Sequence, residues 1–137
     1  MGTVREAIAV VQTHALTAGA REAPTDPPEG NAGFPFSICY PDNGTIFGES
    51  AGARRDIINL VLDYHLSRQN LPLNVQAALT FLETFPSLLV GDPDLGGKVD
   101  TIILDTGISF NFGKMEYGSV QTIGFRFTIP IKIRRVV

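Results

Sequence analysis

The run "VQTIGFRFTIPIKI" constrains this chain more than any other stretch. Ile123, Phe125, Phe127, Ile129, Ile131 and Ile133 fall on alternate positions, with Thr122, Gly124, Arg126, Thr128, Pro130 and Lys132 between them. Successive side chains of a strand point to opposite faces, so the run predicts one long strand with an apolar face. That face needs a second layer to cover it. Pro130 has no N–H for a ladder and predicts a sheet edge or a bulge nearby. The polar face need not meet solvent, because another subunit is an equally good cover.

A second run shares this period. In "ARRDIINLVLDYHLSR", Ile58, Leu60, Leu62, Tyr64 and Leu66 alternate with Ile57, Asn59, Val61, Asp63 and His65. It reads as a long strand with its even-numbered face buried. A helix capped by Asp56 is the rival reading, and the β-branched residues and clean alternation favour the strand.

Helical spacing occurs twice. Thr3-Val4-Arg5-Glu6 forms a capping box, and Val4, Ile8, Val11 and Ala15 follow as one stripe, so a helix is predicted over 4–18 with Gly19 as its stop. In "LPLNVQAALTFLETFPSLL", Pro72 suits a first turn, and Val75, Ala78, Leu79, Leu82 and Phe85 form the expected inward stripe. Pro86 is expected to break or kink this helix, with a short helix resuming through Leu89. Between the helices, "FPFSICY" at 34–40 reads as a short strand, "PDNG" at 41–44 as a turn, and "TIFGES" as a strand or loop arm. "VDTIILDTGISFNFG" reads as one strand, bulged or broken at Gly107, and "KMEYGS" as a hairpin loop. The stretch 19–33, rich in Pro and Gly, is a long loop of the kind that is usually functional or mobile.

The pattern predicts one α+β domain over 1–137, in the order α-β-β-α-β-β. Its antiparallel or mixed sheet has about four to five strands, with two to three helices on one face. At 137 residues, 44% hydrophobic and 18% charged, the chain has the composition of a core-forming domain. A net charge of −3, with Lys and Arg spread along the chain, supplies no footprint for gripping a nucleic-acid backbone. The lone Cys39 allows no internal disulfide and suggests a reducing compartment. The start "MGTVREAIAVV" has neither a signal-peptide pattern nor the Ser or Thr that favours myristoylation. No uninterrupted apolar run suggests a membrane span, and no internal repeat or heptad pattern is visible.

Chemistry-bearing residues are sparse. "DPDLGGKVDTI" crowds carboxylates and glycines, but it lacks the spacing of a calcium loop and the Lys-Ser/Thr of a phosphate loop. It reads as a helix stop, with Asp92 or Asp94 capping a turn and Gly96-Gly97 ending it, and Val99 and Ile102 then begin the next strand. Cys39, His65, Asp63, Ser37 and His14 are the raw material for a nucleophile or a metal site. They show no Gly-x-Ser-x-Gly elbow and no ligand spacing. No enzyme activity, metal or cofactor is expected. "ARR" at 53–55 and "IKIRRVV" read as solvated strand ends or as a charged rim for a neighbouring subunit. The positive mean hydropathy, +0.13, suggests that a neighbour covers some of the surface.

The order of these segments adds a resemblance. A capped helix leads to a Pro-rich loop, then to "FPFSICYPDNGTIFGESAGARRDIINLVLDYHLS". A helix ending in "FPSLLVGDPDLGG" and two closing strands follow. Over nearly its whole length this layout resembles the tail terminator (tail-completion, minor tail) proteins of bacteriophages with long non-contractile tails. The resemblance implies a virion protein, assembled in the host cytoplasm, that forms a ring, hexameric in such proteins. The ring caps the tail tube, ends its polymerisation and joins the head connector, while DNA passes through the lumen without specific binding. Tube protein and a connector or stopper protein are the implied partners, with no membrane. A connector or stopper role is the alternative, followed by a small-ligand-binding α+β domain. Interface residues expected on this reading are Arg54, Arg55, Lys114, Glu116, Arg126 and Arg134, and the 19–33 loop, the 41–55 arm and the 113–119 hairpin are expected to make the contacts.

Overall fold

The computed structural model describes residues 2–26, 33–69 and 71–136. Helix α1 (Val4–Ala18) starts at the capping box. The Thr3 hydroxyl accepts from the Glu6 N–H at 3.1 Å, and the Thr3 N–H donates to Glu6 Oε1 at 3.0 Å. Strands β1 (Phe36–Ser50) and β2 (Ala53–Leu66) follow, then α2 (Leu71–Val90), β3 (Thr101–Ile102), β4 (Ser109–Tyr117) and β5 (Val120–Val136). The fold is α+β with one antiparallel five-stranded sheet and two helices.

The two long period-2 runs pair with each other at the centre of the sheet. Leu60 lies opposite Ile129, Leu62 opposite Phe127 and Tyr64 opposite Phe125. This register puts the even residues of β2 and the odd residues of β5 on one face, which the helices cover. Leu60, Leu62, Phe127, Ile129, Ile131 and Ile133 are fully buried there with Ala7, Val11 and Ala15 of α1 and Phe81, Phe85 and Leu89 of α2. The Tyr64 and Phe81 rings stack with centroids 3.8 Å apart, and Phe85 meets Phe127 edge-on at 5.3 Å. Each such pair adds about 0.5–1.5 kcal/mol beyond the burial of its rings. Gln12 joins α1 to the start of β1: its Nε2 donates to the carbonyls of Pro24 (2.8 Å) and Ser37 (2.9 Å), and its Oε1 accepts from the Ser37 hydroxyl.

Several expectations need correction. "PDNG" is not a turn. It lies inside β1, and the chain absorbs it as a register shift between Pro41 and Asn43; the reversal comes at Ala51-Gly52 instead. β1 is an edge strand, where a proline need not break a ladder. The predicted single strand before the last hairpin is two, β3 and β4, separated by a turn through Gly107 at φ 80°. "KMEY" belongs to β4, and the tight turn is Gly118-Ser119 with Gly118 at φ 62°, a left-handed position that glycine fills without strain. α2 runs unbroken through Pro86. Its inward stripe is Ala78, Phe81, Phe85 and Leu89, whereas Val75 and Leu79 are exposed and Leu82 is half-buried.

Pro130 does mark a ladder break. Its carbonyl accepts from Ile103 N–H at 2.7 Å, so its missing N–H points to the same side, where pairing passes from β4 (ending at Ser109–Thr128) to β3 (Ile102–Ile131). The "DPDLGG" stretch is a helix stop. Asp92 Oδ1 accepts from Gly96 N–H at 3.0 Å, Gly96 and Gly97 have φ of 66° and 84°, and Asp92 Oδ2 holds His14 Nε2 at 2.8 Å. In the 19–33 loop, Arg21 and Glu22 hydrogen-bond alongside the start of β1, and residues 27–32 lie outside the described residues.

Candidate interaction surfaces

The face of the sheet away from the helices is concave. β1 and β4 stand three strand spacings apart, about 14 Å in a flat sheet. Phe36 of β1 and Tyr117 of β4 nevertheless meet with centroids 5.6 Å apart, and the His65 ring fills the space between them at 4.8 Å from Phe36 and 5.7 Å from Tyr117. The sheet therefore curls over this face. Gly124, opposite His65, allows the curl, since a Cβ there would lie 1.8 Å from the Tyr64 carbonyl oxygen. The buried His65 shares a 2.7 Å hydrogen bond with the Thr122 hydroxyl, and burial lowers its pKa.

Beside this cluster, Arg126 grips Asp63 with two nitrogens, at 2.7 and 3.0 Å, and the Tyr40 hydroxyl donates to the same carboxylate at 3.2 Å. Asp63 is 5% exposed. The hydrogen bonds that Arg126 donates to Asp63 raise its pKa, and burial, with Asp63 second, raises that of Tyr40. A cleft of about 760 Å³ opens next to this pair, lined by Asn111, Gly113, Lys114, Glu116, Gln121 and Arg126 among others. Lys114, Glu116 and Arg126 thus share one cleft.

Arg54, Arg55 and Arg134 lie elsewhere, on the arm made by the distal halves of β1 and β2 with the end of β5. Arg54 and Arg135 both reach Asp56 Oδ2, at 3.1 and 3.3 Å, Arg134 reaches Glu49 at 3.4 Å, and Arg55 lies over the Phe47 ring at 4.6 Å. Asp56 Oδ1 and the Nε atoms of Arg54 and Arg55 are buried with no hydrogen-bond partner among the described residues. All residues from 41 to 50 are exposed, Ile46 at 64%.

The residues with nucleophile or ligand chemistry do not converge. Cys39 and Ser37 face the helices, while Asp63 and His65 are on the concave face. Burial pushes the Cys39 thiol up to about 12. Among the described residues no group of three or more His, Cys, Asp or Glu could hold a metal ion.

Sequence reasoning missed one surface. The apolar layer on the helix side continues past Phe127 and Phe125 to Phe110 and Phe112, whose rings pack on those two at 4.9–6.0 Å yet are 49% and 47% exposed. Separately, α2 exposes Leu73, Val75, Leu79 and Val90 and carries one charge, Glu83. Its window Pro72–Val90 is long and apolar enough to cross a membrane, and 22% of it is buried here. The alternating "SFNF" was the available signal, since it puts two aromatics on one face of an edge strand. No protein-family model matches the chain, and no curated protein matches it in sequence.

Proposed function

We propose that this chain is a virion structural protein that assembles into a ring, caps a phage tail tube, ends its polymerisation and joins it to the head connector. One observation carries the assembly part of this reading. The domain exposes two different apolar surfaces, the arm around Ile46 on β1 and the Phe110–Phe112 face of β4, on opposite edges of one sheet. A self-complementary patch suffices for a two-fold dimer. Two distinct surfaces suit a head-to-tail contact, which closes into a ring when its rotation permits. The assignment to the tail tube rests on the order of segments and on the "FPSLLVGDPDLGG" stretch that it shares in texture with tail terminators. The mechanism is steric: one face of the ring matches the tube, and the other withholds the surface to which the next tube subunit would add.

The test is to add the purified protein to polymerising tube protein of the same phage and measure tube lengths. Elongation that stops when the protein is added, with the protein found at one end only, is expected. Tubes that elongate at an unchanged rate overturn the terminator role, and binding to portal-side proteins instead would move the chain to the connector position.

A further inference from the structure

The two edges of the sheet are not alike. Backbone groups alternate in direction along a strand, so a few bonds fix where every N–H and C=O points. The carbonyls of Pro130 and Lys132 accept from the N–H groups of Ile103 and Asp100, so the even residues of β5 bond towards β3 and β4. Their partners in β4 are the odd residues, from Ser109 opposite Thr128 to Tyr117 opposite Val120. The even residues Phe110, Phe112, Lys114 and Glu116 therefore turn their N–H and C=O groups outward. None of these groups has a backbone partner among the described residues.

An open row of this kind pairs with other chains, and native edges are blunted by proline, by bulges or by a covering segment. β1 has all three. Carried across β2, the same alternation puts Ser37 and Pro41 in its outward row. The Ser37 N–H is taken by the Glu22 carbonyl at 2.9 Å, Pro41 has no N–H, and the register shifts between Pro41 and Asn43 and again between Gly48 and Ser50. β4 has none of these devices. Its pairing with β5 runs unbroken over nine residues that include no proline. Phe110 and Phe112 flank the open edge at 49% and 47% exposure. The charges Lys114 and Glu116 stand at the hairpin end and leave the backbone groups open. On the concave side, the cleft of about 760 Å³ runs along the same strand, from Asn111 to Glu116.

We propose that the outer edge of β4 takes up an extended segment of a different protein as an added antiparallel strand. A row of alternating outward donors and acceptors is complemented by another extended backbone. Residues opposite one another share a face, which sets the chemistry of the segment. It carries aliphatic side chains opposite Phe110 and Phe112, a carboxylate opposite Lys114 and an amine opposite Glu116. Its intervening side chains face the cleft. A second copy of this chain does not meet these terms. The outward row of β1 is interrupted, and β4 pairs with another β4 over its full length only by setting Phe110 against Glu116 and Phe112 against Lys114. The added strand lies in the plane of the sheet, and the rings stand out of that plane. The inference goes beyond the ring reading and does not depend on it.

The probe is the peptide Lys-Thr-Glu-Thr-Val-Thr-Val, acetylated and amidated at its ends, with amide exchange followed by NMR. In the free protein the N–H groups of Phe110, Phe112, Lys114 and Glu116 are expected to exchange fast and those of the odd residues between them slowly. Saturating peptide is expected to slow the four outward amides at least about tenfold. Lys114→Pro removes one outward donor and no bond to β5, and it is expected to weaken peptide binding at least about tenfold. Lys114→Ala keeps the N–H and loses only an exposed charge, so it is expected to stay within about threefold of the wild type. Circular dichroism is the folding control, and Glu116→Pro replaces Lys114→Pro if that variant does not fold. Peptide that leaves the four amides exchanging fast, or that binds the proline variant as tightly as the wild type, overturns the proposal. So does a wild type that sediments as a dimer with these amides slow before peptide is added, because a second copy then holds the edge.

Discussion

Replacing Gly124 with alanine tests the curl of the sheet. The added methyl would sit 1.8 Å from the Tyr64 carbonyl oxygen. Carbon–oxygen contacts settle near about 3.3 Å, so the β2–β5 ladder must part by roughly 1.5 Å near its end at His65–Gly124. Hydrogen bonds near the site then exceed bonding distance. Losing about two of them at roughly 1 kcal/mol each, with an overpacking cost of about 1–3 kcal/mol, gives a destabilisation of about 3–5 kcal/mol. A domain of this size commonly has about 5–15 kcal/mol in total, so the thermal midpoint is expected to fall by roughly 10–20 °C. Urea and thermal unfolding followed by circular dichroism measure this. The control is Gly113→Ala, directly across the ladder from Gly124, where the methyl meets nothing. There the change is expected to stay within about 0.5 kcal/mol, the usual range for exposed positions. If Gly124→Ala is less than about 1 kcal/mol below the wild type, the backbone contact is not what fixes glycine here.

Burial lowers the His65 pKa, so the unfolded chain takes up a proton that the folded one refuses. Stability from this group is complete above the unfolded value of about 6.5 and is lost as pH falls through it towards the folded value. Urea midpoints from pH 7.5 to 5.5 should decline, and His65→Gln should flatten that decline. Arg126→Ala leaves the 5%-exposed Asp63 with Tyr40 as its one side-chain partner among the described residues, and because Arg126 is half-exposed the expected loss in unfolding free energy is about 1–3 kcal/mol. Arg126→Lys should recover only part of it, since one ammonium does not reproduce two parallel bonds. Cys39, 1% exposed with its thiol pushed up to about 12, should resist a thiol reagent at pH 8 until denaturant is added. Fast labelling of the native protein would contradict its place in the core.

The parts of the fold legible in the sequence are those where one face alone decides. The even residues of β2 and the odd residues of β5 form the covered face because helices bury them, and alternation records that directly. α1 was legible from its cap. The β1 arm was not, because Pro-Asp-Asn-Gly has turn chemistry and it is the pairing with β2 on both sides of a register shift, Pro41 opposite Leu60 and Asn43 opposite Asn59, that keeps it extended. The stripe of α2 was misplaced for a different reason. Val75 and Leu79 are as apolar as Phe81 and Leu89, and hydropathy does not separate a side chain turned to its own core from one turned outward. The same limit applies to the candidate residues. Arg54, Arg55 and Arg134 group on the arm and Lys114 and Glu116 on β4, but Arg126 is engaged with Asp63 inside the domain. That pairing depends on Asp63 facing Arg126 across the β2–β5 register. The aromatic surface of Phe110 and Phe112 carries more of the account than any of the charges.

Electron microscopy of the purified protein, alone and mixed with tail tubes, addresses the central claim most directly. The account predicts rings about as wide as the tube, or a single ring seated on one end of each tube. Protein that forms no ring and leaves both tube ends bare contradicts it.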